Sequence, residues 1–439
     1  MTQPDLAISG RLFVDGEFYD GAVVLRGDRI SGVKPASEIP SSVEHLDFGK
    51  LWILPGLVDV HVHLRDFGEK AKEDFESGTR AAVAGGFSTV LAMPNTLPPL
   101  NSPERFAGAI EAAKDRIFCD VGFHCGLPDS LDEARTMGSN GAFSMKLYPD
   151  DLARLFGGKL SISATDLKQT GLILYVHAED ENCIEQSRVS LGKQLKGAAM
   201  HGEVRPSRCE LLAIERTTSS FGGCDLHFAH ITTKEGLEAL SAYLESKTTS
   251  AEATVHHLSK TDADARSYGG AAKVNPPLRS ARDVKALRGG INQGLISVVV
   301  SDHAPHLLTE KNQDDYDRIP AGTPGLETAL PALLKMVKAE QLGLVEALKC
   351  ITRNPPRRFG LVRNGRIASG FLANLTVVDP NETWTVDPDS FFSKAKYSLF
   401  EGDELVGRVK MTMVRGIIVY EDGYVAEKPK GEVLRRCRA

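Results

Sequence analysis

The sequence is poor in cysteine, and its cysteines are not arranged as in a disulfide scaffold. Its seven cysteines are scattered along 439 residues, their number is odd, and no CxxC pair occurs. This pattern favours reduced thiols in a cytoplasmic protein over the paired cysteines of a small secreted domain. We therefore expect no structural disulfides.

Other absences exclude further classes of protein. No apolar run approaches the length of a membrane span, and the first residues, MTQPDLAISG, lack the basic and apolar stretches of a secretory signal. The net charge is only −6, with both signs spread along the chain and no basic stripe. We therefore expect a cytoplasmic protein without a membrane or nucleic-acid partner.

The two ends of the chain have a similar strand-rich pattern. Residues 7–53 read as short strands separated by Gly and Asp turns, and residues 364–425 read the same way. We expect both ends to pair into one small β-sandwich beside a larger domain. The predicted boundaries are 1–53 and 362–439 for the sandwich and 54–361 for the larger domain.

The middle of the chain alternates between strand and helix. Eight apolar runs have strand character: VDVHVHL, STVLAMP, FCDVGFHC, FSMKLY, LILYVHAE, LHFAHI, EATVHH and SVVVSD. Amphipathic stretches between them predict helices at 73–85, 103–115, 207–219, 234–246 and 281–293. Such alternation indicates parallel βαβ units, and eight units indicate an α/β protein with a (β/α)₈ TIM barrel.

The first of these strands carries the most informative motif. The strand lies within residues 57–66, LVDVHVHLRD, which carry His61, His63 and Arg65 at alternate positions. Alternate side chains of a strand point to one face, so all three project into the same space. Imidazole is a common zinc ligand, and a guanidinium suits a carboxylate. The motif predicts two metal ligands beside an anion-binding arginine; the alternative is an amphipathic strand with incidental histidines.

Polar residues that can bind metal or substrate end the other predicted strands as well. They are Asn95, His124, Lys146, His177, His230, His256, His257 and Asp302. Because barrel active sites gather at the C-terminal ends of the strands, we expect His177 and His230 to be ligands and Asp302 to be a ligand and general base. A core or capping role is the alternative for each.

Lys146 needs a chemical modification to fit among cations. A free ammonium would be repelled by two Zn²⁺ ions. Addition of CO₂ to the neutral amine gives a carbamate, whose two oxygens can bridge two cations and offset their charge. The alternative is a salt-bridged barrel lysine.

Eight segments of the chain resemble the amidohydrolase superfamily: HVHLRD, MPNT, KLY, VHAED, HFAHIT, NPPLR, SDHAPH and GTPGLET. Within it the chain is similar to the dihydroorotases, in the group related to the multifunctional pyrimidine-pathway enzymes. The resemblance covers nearly the whole chain. HxH alone indicates the superfamily, whereas the Arg after HxHL, MPNT, NPPLR and DHAPH are much more specific.

The resemblance implies a site with two Zn²⁺ ions. One ion would bind His61, His63 and Asp302, the other would bind His177 and His230, and N-carboxylated Lys146 would bridge them. Some relatives bridge with an aspartate, so Asp150 and Asp151 stay open as alternatives. Ala229 stands where some relatives have a cysteine, which argues against a third ion, and Glu252 is a candidate supporting residue.

The resemblance also implies a reaction, the reversible cyclisation of N-carbamoyl-L-aspartate to L-dihydroorotate in pyrimidine biosynthesis. Arg65, Asn95, Asn275 and His306 would hold the substrate, and Asp302 would move a proton. Asn95 and Asn275 adjoin prolines and could instead form turns, and Arg279 could be structural.

Three questions stay open at the level of sequence. Hydantoinases, dihydropyrimidinases and allantoinases share the fold and metals, and some homologues are non-catalytic partner subunits. We expect a homo-oligomer, and family analogy adds an association with aspartate transcarbamoylase. Segments 149–161 and 307–324 could close over the site or be plain surface loops.

Overall fold

The strands of this computed structural model belong to two assemblies, a barrel and a sheet built from both ends of the chain. The structure describes residues 5–158, 163–192, 195 and 197–436. The strands are β1 (Leu6–Val14), β2 (Glu17–Arg26), β3 (Arg29–Lys34), β4 (Glu44–Pro55), β5 (Leu57–Val62), β6 (Phe87–Ala92), β7 (Asp120–Phe123), β8 (Cys125–Gly126), β9 (Ser144–Leu147), β10 (Ile173–Val176), β11 (Leu226–Phe228), β12 (Thr249–Thr254), β13 (Val298–Val300), β14 (Leu375–Thr385), β15 (Glu404–Val414), β16 (Ile417–Glu421) and β17 (Tyr424–Val425).

The helices lie mainly between the barrel strands. They are α1 (Phe75–Ala84), α2 (Pro103–Ala113), α3 (Leu131–Ser139), α4 (Pro149–Phe156), α5 (Ala164–Gln169), α6 (Glu181–Leu191), α7 (His201–Val204), α8 (Ser207–Phe221), α9 (Lys234–Leu244), α10 (Val255–Ser259), α11 (Asp262–Tyr268), α12 (Ala281–Asn292), α13 (Leu308–Lys311), α14 (Ala329–Lys338), α15 (Leu344–Ile351) and α16 (Asn354–Phe359). The five helices predicted from amphipathic stretches are confirmed, and no observed helix end differs from its predicted position by more than two residues.

The barrel has the eight parallel strands that the sequence predicts. β5, β6 and β7 pair in order, His124 continues β7 into β8, and β8 to β13 pair in order. The ring closes where the His63 amide donates to the His303 carbonyl at 2.8 Å, which joins the end of β5 to the residues after β13. Residues on both faces of these strands are buried, because helices cover parallel strands on one side and the barrel interior fills the other.

Short polar side chains cap the first turn of helices that follow the barrel strands. Asp74 Oδ1 accepts the Ser77 amide at 2.8 Å to cap α1, and Thr233 Oγ1 accepts the Gly236 amide at 3.0 Å to cap α9. These caps satisfy amide groups that have no partner inside the helix. Because Thr233 lies three residues after His230, the loop that carries this histidine is short and held at both ends.

Both ends of the chain form one sheet of eight strands, in the order β17-β16-β15-β14-β4-β1-β2-β3. A separate apolar core lies within it, built from β1, β2, β3, β4, β14 and β15 with contributions from their connections. The expected sandwich made from both termini is confirmed. Residues 431–436 return to the barrel, where the Leu434 amide donates to the Val121 carbonyl at 2.8 Å.

The prediction that all cysteines are reduced is wrong for one pair. Cys183 in α6 and Cys209 in α8 form a disulfide, with their Cα atoms 5.4 Å apart. Their separation of 26 residues gave no signal, because the packing of α6 against α8 brings them together. Cys119, Cys125, Cys224 and Cys350 are free and buried, as expected; Cys437 lies outside the described residues. Within the described chain, no helix is long and apolar enough to cross a membrane.

Candidate active site

A cavity of about 590 Å³ lies at the carboxyl ends of the barrel strands. All ten residues that the sequence predicts for the site line it: His61, His63, Arg65, Asn95, Lys146, His177, His230, Asn275, Asp302 and His306. They come from seven of the eight barrel strands and the loops that follow them. A single cavity therefore collects side chains that are up to 245 positions apart in the sequence.

His61, His63 and Asp302 converge on one point in the cavity. Asp302 Oδ1 lies 3.4 Å from His61 Nε2 and 3.2 Å from His63 Nε2. The three ligand atoms lie within 4.8 Å of one another and their residues are buried. Two imidazole nitrogens and a carboxylate oxygen at this spacing are suited to bind a zinc ion.

Each of these histidines has its other ring nitrogen against a side-chain oxygen. His61 Nδ1 lies 2.6 Å from Glu252 Oε1, and His63 Nδ1 lies 2.6 Å from Asn95 Oδ1. With the proton on Nδ1, each ring donates to its partner and directs the lone pair of Nε2 into the cavity. Burial lowers the pKa of His61 to about 4, so the ring is in the neutral form that binds metals.

Glu252 holds several groups at the barrel centre. It is fully buried, and besides His61 it accepts from Tyr175 Oη, His227 Nε2 and the His230 amide. Burial alone would raise the pKa of this carboxyl, but His61 and His227 hold it well below its usual range. The supporting role expected for Glu252 agrees with these contacts.

His177 has a corresponding partner that the sequence analysis missed. Its Nε2 lies 2.7 Å from Glu179 Oε2, which leaves Nδ1 free for a ligand. Glu179 is fully buried and is paired with Arg205, whose Nη2 donates to Oε2 at 2.6 Å. Glu179 stands two positions after His177, so the alternation that identified Arg65 could also have found it; Arg205 had no signal.

Lys146 and His230 each contain a buried nitrogen that lacks a hydrogen-bond partner among the described residues: Nζ of Lys146 and Nδ1 of His230. Lys146 Nζ lies 4.2 Å from the centroid of the Tyr175 ring. Burial lowers the pKa of the Lys146 amine to about 8, which favours the neutral form that reacts with CO₂. Polar groups buried without partners are costly, so these atoms fit a site that a metal and a carbamate complete.

The two aspartates considered as alternative bridges lie after β9, in the first turn of α4. Asp151 Oδ2 accepts the Tyr148 amide at 3.1 Å and so caps the start of α4. Burial raises the pKa of Asp151 to about 6. Asp150 lines the cavity, but Lys146 is the group that lies in β9, inside the barrel with the histidines.

Arg65 and His306 form the wall beside the His–Asp cluster. Arg65 Nη2 lies 3.0 Å from His306 Nε2, and Arg65 Nε donates to the Pro305 carbonyl at 3.3 Å. The nearest carboxylate oxygen, from Glu69, is 3.6 Å from Nη1. The guanidinium therefore has no hydrogen-bonded carboxylate within the described chain and can accept an anionic group from a substrate.

Several strand-end residues have structural partners instead. His124 contacts the Val60 carbonyl and Ser144 Oγ, and His257 contacts the Pro276 carbonyl and Thr254 Oγ1. Arg279, for which a structural role was left open, donates to the Arg205 carbonyl at 2.6 Å. The segment 149–161 contains α4, while residues 159–161 lie outside the described residues.

The backbone at the site is strained in three places. Arg65, His230 and Asp302 have positive φ angles of 54°, 29° and 46°. Such angles cost residues other than glycine about 1–3 kcal/mol each and cluster at functional sites, where the surrounding fold supports them. The side chains of these three residues all line the cavity.

A (β/α)₈ barrel with histidines, a carboxylate and a buried lysine at its mouth defines a metal-dependent hydrolase. The chain belongs to the amidohydrolase family, whose model matches residues 52–419. It is 31% identical to a dihydroorotase of Methanosarcina mazei, over 98% of both chains, and 35% identical to a dihydroorotase of Geobacter metallireducens, over 87% of this chain and 91% of that one. Among solved structures it is similar to an L-hydantoinase (dihydropyrimidinase) from Arthrobacter aurescens, with a TM-score of 0.90, 28% identity and coverage of 99% and 100%.

Proposed function

We propose that this protein is a dihydroorotase, which interconverts N-carbamoyl-L-aspartate and L-dihydroorotate in pyrimidine biosynthesis. The observation that carries the proposal is Arg65, a side chain only 6% exposed that faces the cavity beside the His–Asp cluster without a hydrogen-bonded carboxylate among the described residues. A buried cation in this position suits a substrate with a carboxylate next to the reacting amide. The identity to curated dihydroorotases supports the same substrate.

The proposed ligands divide into two groups around Lys146. His61, His63 and Asp302 would hold one Zn²⁺ ion, His177 and His230 would hold the other, and carboxylated Lys146 would bridge them. When bound, the ions polarise the amide carbonyl and lower the pKa of water. The donor set and the unpartnered buried nitrogens of Lys146 and His230 support this assignment.

The protein's own residues would bind the substrate and move the proton. Arg65 and His306 would hold the carboxylate, and the side-chain amides of Asn95 and Asn275 would orient the ring. Asp302 would accept a proton from water during hydrolysis and return it to the leaving nitrogen. In the direction of ring closure, Asp302 would take the proton from the ureido nitrogen.

A substrate panel tests the proposal against the hydantoinase alternative. We expect the zinc-loaded protein to hydrolyse L-dihydroorotate and to act far more slowly on hydantoin, dihydrouracil and allantoin. In Arg65→Met, kcat/KM for dihydroorotate should fall by roughly 100-fold or more, because a bidentate charged contact is lost, while the low activity on neutral rings stays unchanged. Preference of the wild type for a neutral ring would overturn the assignment.

Carboxylation of Lys146 has its own test. In ¹³C-bicarbonate buffer the zinc-loaded protein should show a carbamate ¹³C signal that is absent from Lys146→Ala. The same signal in both proteins would reject this site. A homo-oligomer, a cytoplasmic location and an association with aspartate transcarbamoylase stay predictions, which light scattering, fractionation and co-purification can test.

A further inference from the structure

Arg205 is a second arginine of the cavity, on the wall opposite Arg65. Arg65 follows β5, the first barrel strand, and Arg205 lies between β10 and β11, the fifth and sixth. In a closed ring of eight strands, the first and fifth lie across from each other. Arg205 lines the cavity, and its side chain is only 14% exposed.

The Arg205 side chain is held in one orientation by a two-point contact. Nε donates to Glu179 Oε1 and Nη2 donates to Glu179 Oε2, at 3.1 and 2.6 Å. The backbone is fixed as well, because the Arg205 carbonyl accepts from Arg279 Nη1 at 2.6 Å. Nη1 of Arg205 is the amino group that remains, and it donates to no acceptor within the described part of the chain.

The two arginines differ in how closely a carboxylate neutralises their positive charge. Arg205 shares two hydrogen bonds with the fully buried Glu179, so the pair together is neutral. Arg65 has only the carboxylate of Glu69, 3.6 Å away, so its positive charge is less completely compensated. Arg65 is therefore suited to a carboxylate, whereas Nη1 of Arg205 is suited to a neutral acceptor such as a carbonyl oxygen.

We propose that Arg205 Nη1 donates to the ureido carbonyl oxygen of the substrate, an inference that rests on the proposed function. In dihydroorotate the carboxylate, the scissile carbonyl and the ureido carbonyl stand on alternate ring atoms and point in three directions. The carboxylate faces Arg65, the scissile carbonyl faces the metal ligands, and the ureido carbonyl faces Arg205.

This contact strengthens as the ring opens. Water supplies the oxygen of the new carboxylate, the C–N bond breaks, and its electron pair goes to the leaving nitrogen, which receives the proton from Asp302. Until that proton arrives, the negative charge is shared with the ureido oxygen. A donor on this oxygen therefore stabilises the transition state more than the bound substrate, and Arg205 affects kcat as well as KM.

The test replaces one atom of the substrate. L-Dihydroorotate and its 2-thio analogue, with sulfur as a much weaker acceptor, are compared in wild type, Arg205→Met and Arg205→Lys. For each protein the measured quantity is the ratio of kcat/KM for L-dihydroorotate to kcat/KM for the 2-thio analogue. This ratio should be larger in the wild type than in either variant, by a factor on the order of 10 to 100. The control is Arg188→Met, which removes a surface arginine paired with Asp317 and should keep the wild-type ratio.

An Arg205 that only supports the fold would lower kcat/KM for both compounds equally, and an unchanged ratio overturns the proposal. If wild type hydrolyses neither compound, the proposed function fails and this inference with it, so the two failures are distinguishable. Should both variants lose their metal, a wild-type crystal complex with N-carbamoyl-L-aspartate decides. Nη1 should lie about 2.7–3.2 Å from the ureido oxygen, and a separation beyond about 4 Å rejects the contact.

Discussion

At the scale of single residues, the partners of the histidine rings determine which nitrogen faces the cavity. Glu252 engages His61, Asn95 engages His63, and Glu179 engages His177, each within 2.6–2.7 Å. A neutral imidazole has one proton, so a strong acceptor at one nitrogen leaves a lone pair on the other. The orientations of His61 and His177 thus depend on two glutamates, Glu252 and Glu179, that have no proposed role in binding metal or substrate.

Glu252→Gln tests this arrangement. The amide removes the negative charge beside His61 Nδ1 and weakens the hydrogen bond that orients the ring. We expect zinc affinity to fall by roughly 10- to 100-fold, measured by competition with a chelator. The matched control, Glu238→Gln, changes an exposed glutamate paired with Lys234 and should keep wild-type affinity; equal affinities in both variants would contradict the interpretation.

At the scale of elements, two buried lysines hydrogen-bond to the backbone of the segment that follows Asp302. Lys311 Nζ donates to the carbonyls of Lys273, Pro320 and Gly322 at 2.8–3.1 Å. Lys273 Nζ donates to the carbonyls of Tyr316 and Ile319 at 2.6 and 2.7 Å. Because Pro320 to Gly322 line the cavity, these ammonium groups shape the wall next to His306.

Lys311→Met should loosen this wall. Methionine has a similar length but leaves three buried carbonyls without their donor, at a cost of about 3 kcal/mol. We expect a lower Tm and a KM for dihydroorotate that rises more than kcat falls. The exposed Lys338→Met serves as the control, and a Lys311→Met protein that matches it in Tm and KM would rule out this role.

At the scale of the whole molecule, the carboxyls of Glu327 and Glu73 join the C-terminal part of the chain to the barrel. Glu327 accepts the amides of Phe392 and Ser393, each at 3.1 Å. Glu73 accepts from the Ser393 hydroxyl on the other side. Burial raises the pKa of Glu327 to about 8 from its ordinary value of 4.5, so this carboxyl is protonated at neutral pH.

The raised pKa predicts how stability depends on pH. An acid with a higher pKa in the folded state contributes stability that is complete below pH 4.5 and is lost as the pH rises to about 8. The loss is on the order of a few kcal/mol. In Glu327→Gln this loss of stability with rising pH should be absent. The exposed Glu404→Gln should keep the pH dependence of stability of the wild type. Parallel Tm profiles of Glu327→Gln and wild type between pH 6 and pH 9 would contradict the prediction.

Much of the fold and most of the candidate site residues could be predicted from local patterns, whereas Asn275 and His306 were expected only from the family resemblance. The period of two along β5 placed His61, His63 and Arg65 on one face, and the alternation of apolar strands with amphipathic helices predicted the barrel. These signals are visible in sequence because they depend on neighbours a few positions apart. The rule that barrel sites form at the strand ends then selected Lys146, His177, His230 and Asp302.

The contacts between these residues and their partners came only from the tertiary structure. Glu252 lies 191 positions from His61, Arg205 lies 26 from Glu179, and the Cys183–Cys209 disulfide has no distinctive spacing. Which side chains meet across a closed barrel depends on how strands and helices pack. The sequence by itself therefore determined the elements and the reactive groups at their ends, because both follow from backbone periodicity. Tertiary packing alone decided their charge, tautomer and orientation, because these depend on burial and on contacts between distant segments.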